Sequence, residues 1–245
     1  MPAHEADDRA AVRSLSLSRI GAVCGVLTTA SFLVGIVLMA SSGVQVLIPE
    51  TGKDGLDWIA DVDSASGLFF AGAWLAIFGG VFALVAFIGF YEALRSAGPA
   101  MILAPVLGAV GMGLVTISHL IPIALGYEFV PGYVDASTAS KASLEVTFDT
   151  FAATAHALNY VGDVLVWGVV TPLLAYAALK TRVVPRWIGW LGILGVGLFG
   201  GLLGAFAPAS SIIDGLTFIG FVAFFVFMAS MGIALLRRSS EGAVA

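Results

Sequence analysis

Three ionisable residues stand seven apart in the stretch FDTFAATAHALNYVGDVLVWGVVTP, Phe148 to Pro172: Asp149, His156 and Asp163. Residues seven apart lie two helical turns apart and drift only about 20° around an ideal helix, so the three share one stripe. Asn159 and Tyr160, three and four residues beyond His156, join it. Two carboxylates and an imidazole on one strip can bind a cation, exchange a proton with it, or ligate a metal. His119 sits in LVTISHLIPIALGYE, Leu114–Glu128, and Asp214 opens the last apolar run. Together these residues predict one polar ligand-binding pocket made of His119, His156, Asn159, Tyr160, Asp163 and Asp214. Zinc accepts two imidazoles and a carboxylate, which makes His119, His156 and Asp163 the candidate metal ligands. A zinc-bound water with a pKa of about 7 would then allow hydrolysis.

Catalytic signatures are otherwise missing. The chain has no His-Glu-x-x-His, no histidines four apart and no cysteine cluster. Ser118 adjoins His119, but successive helical residues point in different directions, and there is no Gly-x-Ser-x-Gly elbow. No P-loop or dinucleotide fingerprint occurs either. The sequence requires no cofactor and leans away from an enzyme. Each polar residue also has a plainer role, as hydrogen-bonded glue between helices.

The elements that must position these residues are membrane spans. Of 245 residues, 59% are hydrophobic and 11% charged, against a charged share of about 25% in soluble domains. Mean hydropathy is +1.02. A hydrocarbon layer of about 30 Å needs about 20 apolar residues per helix. Six runs qualify: 20–47, 68–94, 101–125, 151–179, 187–206 and 212–236. Continuous runs of this kind satisfy their own backbone groups as helices, so the fold class is all-α, a bundle of six transmembrane helices forming one domain over 20–236. The tails are 1–19 and 237–245. The first run is too long for the apolar part of a signal peptide and is read as an uncleaved span. The single Cys24 lies inside it and can form no internal disulfide.

Arg9, Arg13, Arg19, Arg95, Lys180, Arg182, Arg186, Arg237 and Arg238 fall on one side of this topology, and only Lys53 and Lys141 on the other. Cytoplasmic loops carry the basic excess, so both termini are expected in the cytoplasm. The polar stripe then descends from the outer surface, and an aspartate near mid-bilayer, Asp163, must face protein or water. The first two outer connections are acidic, with Glu50, Asp54, Asp57, Asp61 and Asp63 in one and Glu128, Asp135, Glu145 and Asp149 in the other; they read as solvated loops. The net charge of −5 argues against nucleic acid as a partner. The short connection FAPASS makes spans five and six a hairpin. Gly197, Gly200, Gly201 and Gly204 repeat at four-residue spacing in span five, which lets backbones approach closely, either within the chain or in a homo-oligomer.

The stretch LLAYAALKTRVVPRWIGWLGILGVGLFGGLLGAF, Leu173–Phe206, resembles the C-terminal half of a family of bacterial membrane proteins, domain of unknown function 4386, whose basic, proline- and tryptophan-containing inner loop precedes a glycine-rich span. The resemblance covers roughly the last third of the chain, through TRVVPRWIGWLGI. Where members of that family carry a polar pair near the start of the final span, this chain has IIDGL with Asp214. The resemblance implies a multi-helix protein of the bacterial plasma membrane and no particular activity. The expected function is binding or transport of a small polar or cationic ligand in an outward-facing pocket. The alternatives are a structural or regulatory subunit of a membrane complex and, third, a metal-assisted membrane hydrolase.

Overall fold

The computed structural model describes the backbone of residues 3–65, 67–205 and 211–241 and the side chains of 17–65, 67–205 and 215–238. Among these residues the chain is helix and turn, with no strand. Helix α1 (Ala3–Ser41) is followed by α2 (Lys53–Ser64) and α3 (Leu68–Leu94). After two 3-10 turns come α4 (Leu103–Ala124), a π turn at Leu125–Phe129 and the short α5 (Val130–Val134). Then α6 (Thr138–Leu165) passes through a second π turn, Val166–Val170, into α7 (Thr171–Thr181). A turn leads to α8 (Arg186–Trp190), which widens into a π-helical stretch, Leu191–Leu202. The chain ends in α9 (Ser211–Glu241).

This is a multi-pass membrane protein. Among the described residues five helical stretches are long and apolar enough to cross a bilayer: Leu17–Ser41, Leu68–Ala97, Pro99–Val134, Thr138–Thr181 and Gly215–Arg238. Arg186–Leu202 is a shorter apolar helix. The 44 residues of Thr138–Thr181 rise on the order of 66 Å at 1.5 Å each, more than the 40–45 Å of a whole bilayer. That helix therefore projects beyond the membrane, which fits its polar opening turns. The tail expected over 1–19 is helical from Ala3, and the FAPASS connection lies outside the described residues from Phe206 onward.

Both π turns sit beside a proline. Pro122 lies inside α4, three residues before Leu125–Phe129, and Pro172 follows Val166–Val170. A proline has no N–H to give the carbonyl four residues back, so the ladder is broken at Ser118 and Gly168, and the neighbouring turn widens.

The chain forms two compact units. Unit 1 takes Met1–Thr29, Val81–Met112 and Asp163–Ala245; unit 2 takes Ala30–Gly80 and Gly113–Gly162. In unit 1 the π-helical stretch packs on α7 and α9 through its glycines. Gly201 lies against the backbone of Gly168, and Gly200 against Gly220 and the Trp167 ring; a β-carbon at Gly201 or Gly220 would collide with main chain. Gly197 meets Pro172, and Gly204 meets Thr217. The four glycines picked out by spacing thus all face neighbours within the chain. Thr29 Oγ1 donates to the Phe225 carbonyl at 3.0 Å, fastening α1 to α9.

Unit 2 has a core of its own. Trp58, Ile59 and Val62 of α2 pack with Phe69, Ala73 and Ile77 of α3 and with Phe148 and Ala152 of α6. The Trp58 ring meets Phe69 edge-on at 5.9 Å and Phe148 at 5.9 Å, and its Nε1 donates to the Val46 carbonyl at 3.2 Å. The acidic first connection is therefore more than a solvated loop. It folds as an amphipathic helix with Asp54, Asp57, Asp61 and Asp63 exposed on one side and Trp58, Ile59 and Val62 buried on the other.

Candidate functional site

The sequence's polar stripe is carried by α6, and unit 2 shows what its first two members do. Asp149 Oδ1 accepts the Gly52 N–H at 2.9 Å. Gly52 precedes the first residue of α2 with φ 69° and ψ −138°, a conformation open to glycine, and offers the helix no side-chain cap. The Asp149 carboxylate stands in for one: a negative group brought from α6 to a helix N-terminus, where N–H groups lack partners and the dipole is positive. His156 Nε2 lies 3.0 Å from the Pro49 carbonyl. A carbonyl only accepts, so Nε2 carries the hydrogen, and Nδ1 is left as the ring's acceptor. The same Nε2 is 3.6 Å from Glu50 Oε2, a pair open to solvent and so of little strength. One turn of α6 after another thus clasps residues 49–52, the segment that leads into α2.

A second polar cluster joins α6 to α4. Ser118 Oγ donates to the Val115 carbonyl at 2.7 Å and lies 3.2 Å from Asn159 Oδ1. Asn159 also makes a side-chain hydrogen bond with His119, whose ring meets Phe32 edge-on at 6.4 Å. The cluster sits one turn before Pro122, where the α4 ladder is interrupted. Of the six residues expected to form one pocket, His119 and Asn159 are bonded to each other, while His156 is engaged by the 49–52 segment. Tyr160 is exposed and Asp163 half-buried, and both have interaction partners; Asp163 belongs to unit 1. Asp214 lies outside the residues whose side chains are described. Among the described residues no three His, Cys, Asp or Glu side chains stand close enough to hold a metal ion.

Among the described residues a shallow, open depression borders the stripe. A groove of roughly 910 Å³ runs along α6 from Val146 to Val161, with Leu114 and Thr51 on its sides. Asp149, Ala153, Ala157 and Val161 line it at steps of four residues, the spacing of one helix face. The fifteen helical steps from Val146 to Val161 make it about 22 Å long. It is polar at Thr51, Asp149 and Thr150 and apolar towards Leu158 and Val161. The hydroxyls of Thr150 and Thr154 donate to the carbonyls of Val146 and Thr150 at 2.8 and 2.7 Å, so their protons are spent. These two leave only lone pairs, which accept hydrogen bonds alongside the Asp149 carboxylate, and the Thr51 hydroxyl completes the polar end.

The family model for a domain of unknown function, DUF4386, matches residues 23–238, from within the first span to the end of the last. The chain belongs to the DUF4386 family. The DUF4386 match takes in the N-terminal spans as well as the C-terminal stretch that carries the resemblance in the sequence. No curated protein and no solved structure matches the chain. Sequence reasoning missed α2 and the part played by Pro49, Glu50 and Gly52. A signal for α2 was present in Leu56, Ile59 and Val62, spaced by three along an acidic segment.

Proposed function

We propose that the protein is a binding or transport component of the bacterial plasma membrane that takes a small cationic, partly apolar ligand in the α6 groove. Charge bias places both termini in the cytoplasm and the α2 end of unit 2 outside, where the groove's polar mouth meets the external medium. The observation that carries the proposal is the groove's polarity: its wet end carries the Asp149 carboxylate beside the Thr150 and Thr154 hydroxyls, whose protons are already donated, and its other end is apolar. Such a lining suits an ammonium or guanidinium group attached to a hydrocarbon body.

The test is binding of a short-chain alkyltrimethylammonium to the purified protein in neutral detergent, with an alkyl sulfate of equal length as the contrast. The cation should bind and the anion should not. Ala157→Trp, on the exposed floor of the groove, should abolish binding with the thermal midpoint unchanged. Equal binding of both amphiphiles, or full binding by Ala157→Trp, refutes the proposal. A second possibility, a structural or regulatory subunit, is favoured by the bonds that Asp149 and His156 make to residues 49–52; on it, neither amphiphile binds and partners assemble on the acidic face of α2.

A further inference from the structure

Two arginines at one end of unit 1 occupy positions that local backbone physics disfavours. Arg182 closes α7 with φ 55° and ψ 26°, and it is the one residue other than glycine with positive φ among those described. Its N–H bonds the Ala178 carbonyl at 3.0 Å. Glycine ordinarily fills this left-handed C-terminal position, because a β-carbon there crowds the main chain. Arg186, just after Pro185, is the first residue of the helix Arg186–Leu202. A cation at a helix N-terminus opposes the helix dipole. Both side chains are exposed, and neither has a hydrogen-bond or ion-pair partner among the described residues.

Their neighbours are, by contrast, committed. Lys180 Nζ donates to the Ala97 carbonyl at 2.7 Å, and Arg238 donates to the Val183 carbonyl at 3.3 Å. Arg95 pairs with Glu92 at 3.3 Å. These bonds draw residues 95–97 and the end of α9 onto the α7–α8 turn and surround it with positive charge. On α8, Trp187 and Trp190 are 53% and 54% exposed, while Ile188 and Gly189 between them are buried. The two indoles share a face of the helix and project away from the protein at the same end. Tryptophan so placed marks the level where hydrocarbon gives way to headgroups.

We propose that the α7–α8 turn is a binding site for the headgroup of an anionic phospholipid, with Arg182 and Arg186 on the phosphate and Trp187 and Trp190 against the glycerol and upper acyl chains. Guanidinium forks match phosphate oxygens in pairs, and retention of two unpartnered arginines against backbone preference is explained by a ligand that needs them. The exposed indoles select a lipid over a soluble phosphate. The proposal is independent of the α6 groove in unit 2.

The experiment uses the full chain in neutral detergent, titrated with phosphatidylglycerol, phosphatidylcholine and glycerol phosphate, and read by native mass spectrometry and thermal midpoint. Phosphatidylglycerol should be retained and should raise the midpoint more than phosphatidylcholine does, while glycerol phosphate should do neither. Arg182→Gly should weaken phosphatidylglycerol binding roughly tenfold. Without anionic lipid the same variant should be as stable as the parent or more so, since glycine suits the left-handed backbone. Arg186→Gln should weaken binding similarly. Equal retention of the two lipids, unchanged phosphatidylglycerol binding in both variants, or glycerol phosphate binding as tightly as the lipid would each overturn the proposal.

Discussion

Asp149→Ala removes a cap without touching a core. The Gly52 N–H loses its acceptor at 2.9 Å, and the first turn of α2 loses the carboxylate that α6 brings to it. A hydrogen bond to a charged acceptor contributes about 1.5–3 kcal/mol, and a negative charge at a helix N-terminus about 0.3–1 kcal/mol. Gly52 is exposed and Asp149 half-buried, so water replaces part of the loss and the lower end applies, about 1.5–2 kcal/mol. Asp149→Asn keeps an acceptor and loses the charge, which should cost about half as much. The loss falls on local opening of residues 49–64, because Trp58, Ile59 and Val62 hold α2 only once it has formed. Amide hydrogen exchange across Gly52–Ser64, in a neutral micelle, should therefore accelerate by about 10–30-fold in Asp149→Ala and less in Asp149→Asn. The thermal midpoint of the bundle should stay put. Unchanged α2 exchange in Asp149→Ala, or a global loss of stability with α2 exchange unaltered, would refute this account of the clasp.

Two further outcomes are expected. In a Cys24→Ala background, cysteines at Ala60 and Ser140 should react with an impermeant thiol reagent added to intact cells, whereas cysteines at the exposed Ser96 and Ala100 should not; the reverse pattern inverts the orientation. Gly201→Leu should lower the thermal midpoint sharply, because its side chain would enter the Gly168 backbone. Size measured alongside tells whether self-association depends on the same face, and an unchanged midpoint would show that the face is not packed within the chain.

What the sequence made legible was whatever is written in side chains over long stretches. Twenty-residue apolar runs have one solution in a bilayer, so the helical membrane architecture follows from hydropathy alone. Four-residue glycine spacing announced close packing, and the structure supplies the partners: Gly168 for Gly201, Gly220 for Gly200. The seven-residue spacing of Asp149 and His156 correctly implied one helix. Their partners were invisible for a physical reason: Pro49 acts through its carbonyl and Gly52 through its N–H, and every residue has the first and nearly every residue the second. Asn159 shows a related effect. Its position on α6 grouped it with His156, but its side chain is bonded across to Ser118 and His119 on α4, a pairing that sequence spacing does not encode. Helix α2 was hidden by its brevity and charge, since four aspartates in a 12-residue segment resemble a loop until Trp58 and Phe148 are seen in contact.

Asp149 holds two positions at once, as the cap of α2 through Oδ1 and as the acid at the mouth of the groove. A ligand cation drawn to that carboxylate acts on the same charge that steadies α2, so occupancy of the groove and closure of residues 49–52 are thermodynamically linked, each altering the other by the same factor. For that reason substitution of Asp149 cannot separate a ligand site from a structural clasp: both roles vanish together. The two part company at Ala157, which lines the groove two turns further along α6 and has no bond to the 49–52 segment. A tryptophan there fills the apolar floor and leaves the clasp intact. If α2 exchange stays slow in Ala157→Trp while the cationic amphiphile no longer binds, the acid serves a ligand as well as a helix; if the parent itself never bound the amphiphile, the clasp is the stripe's whole purpose.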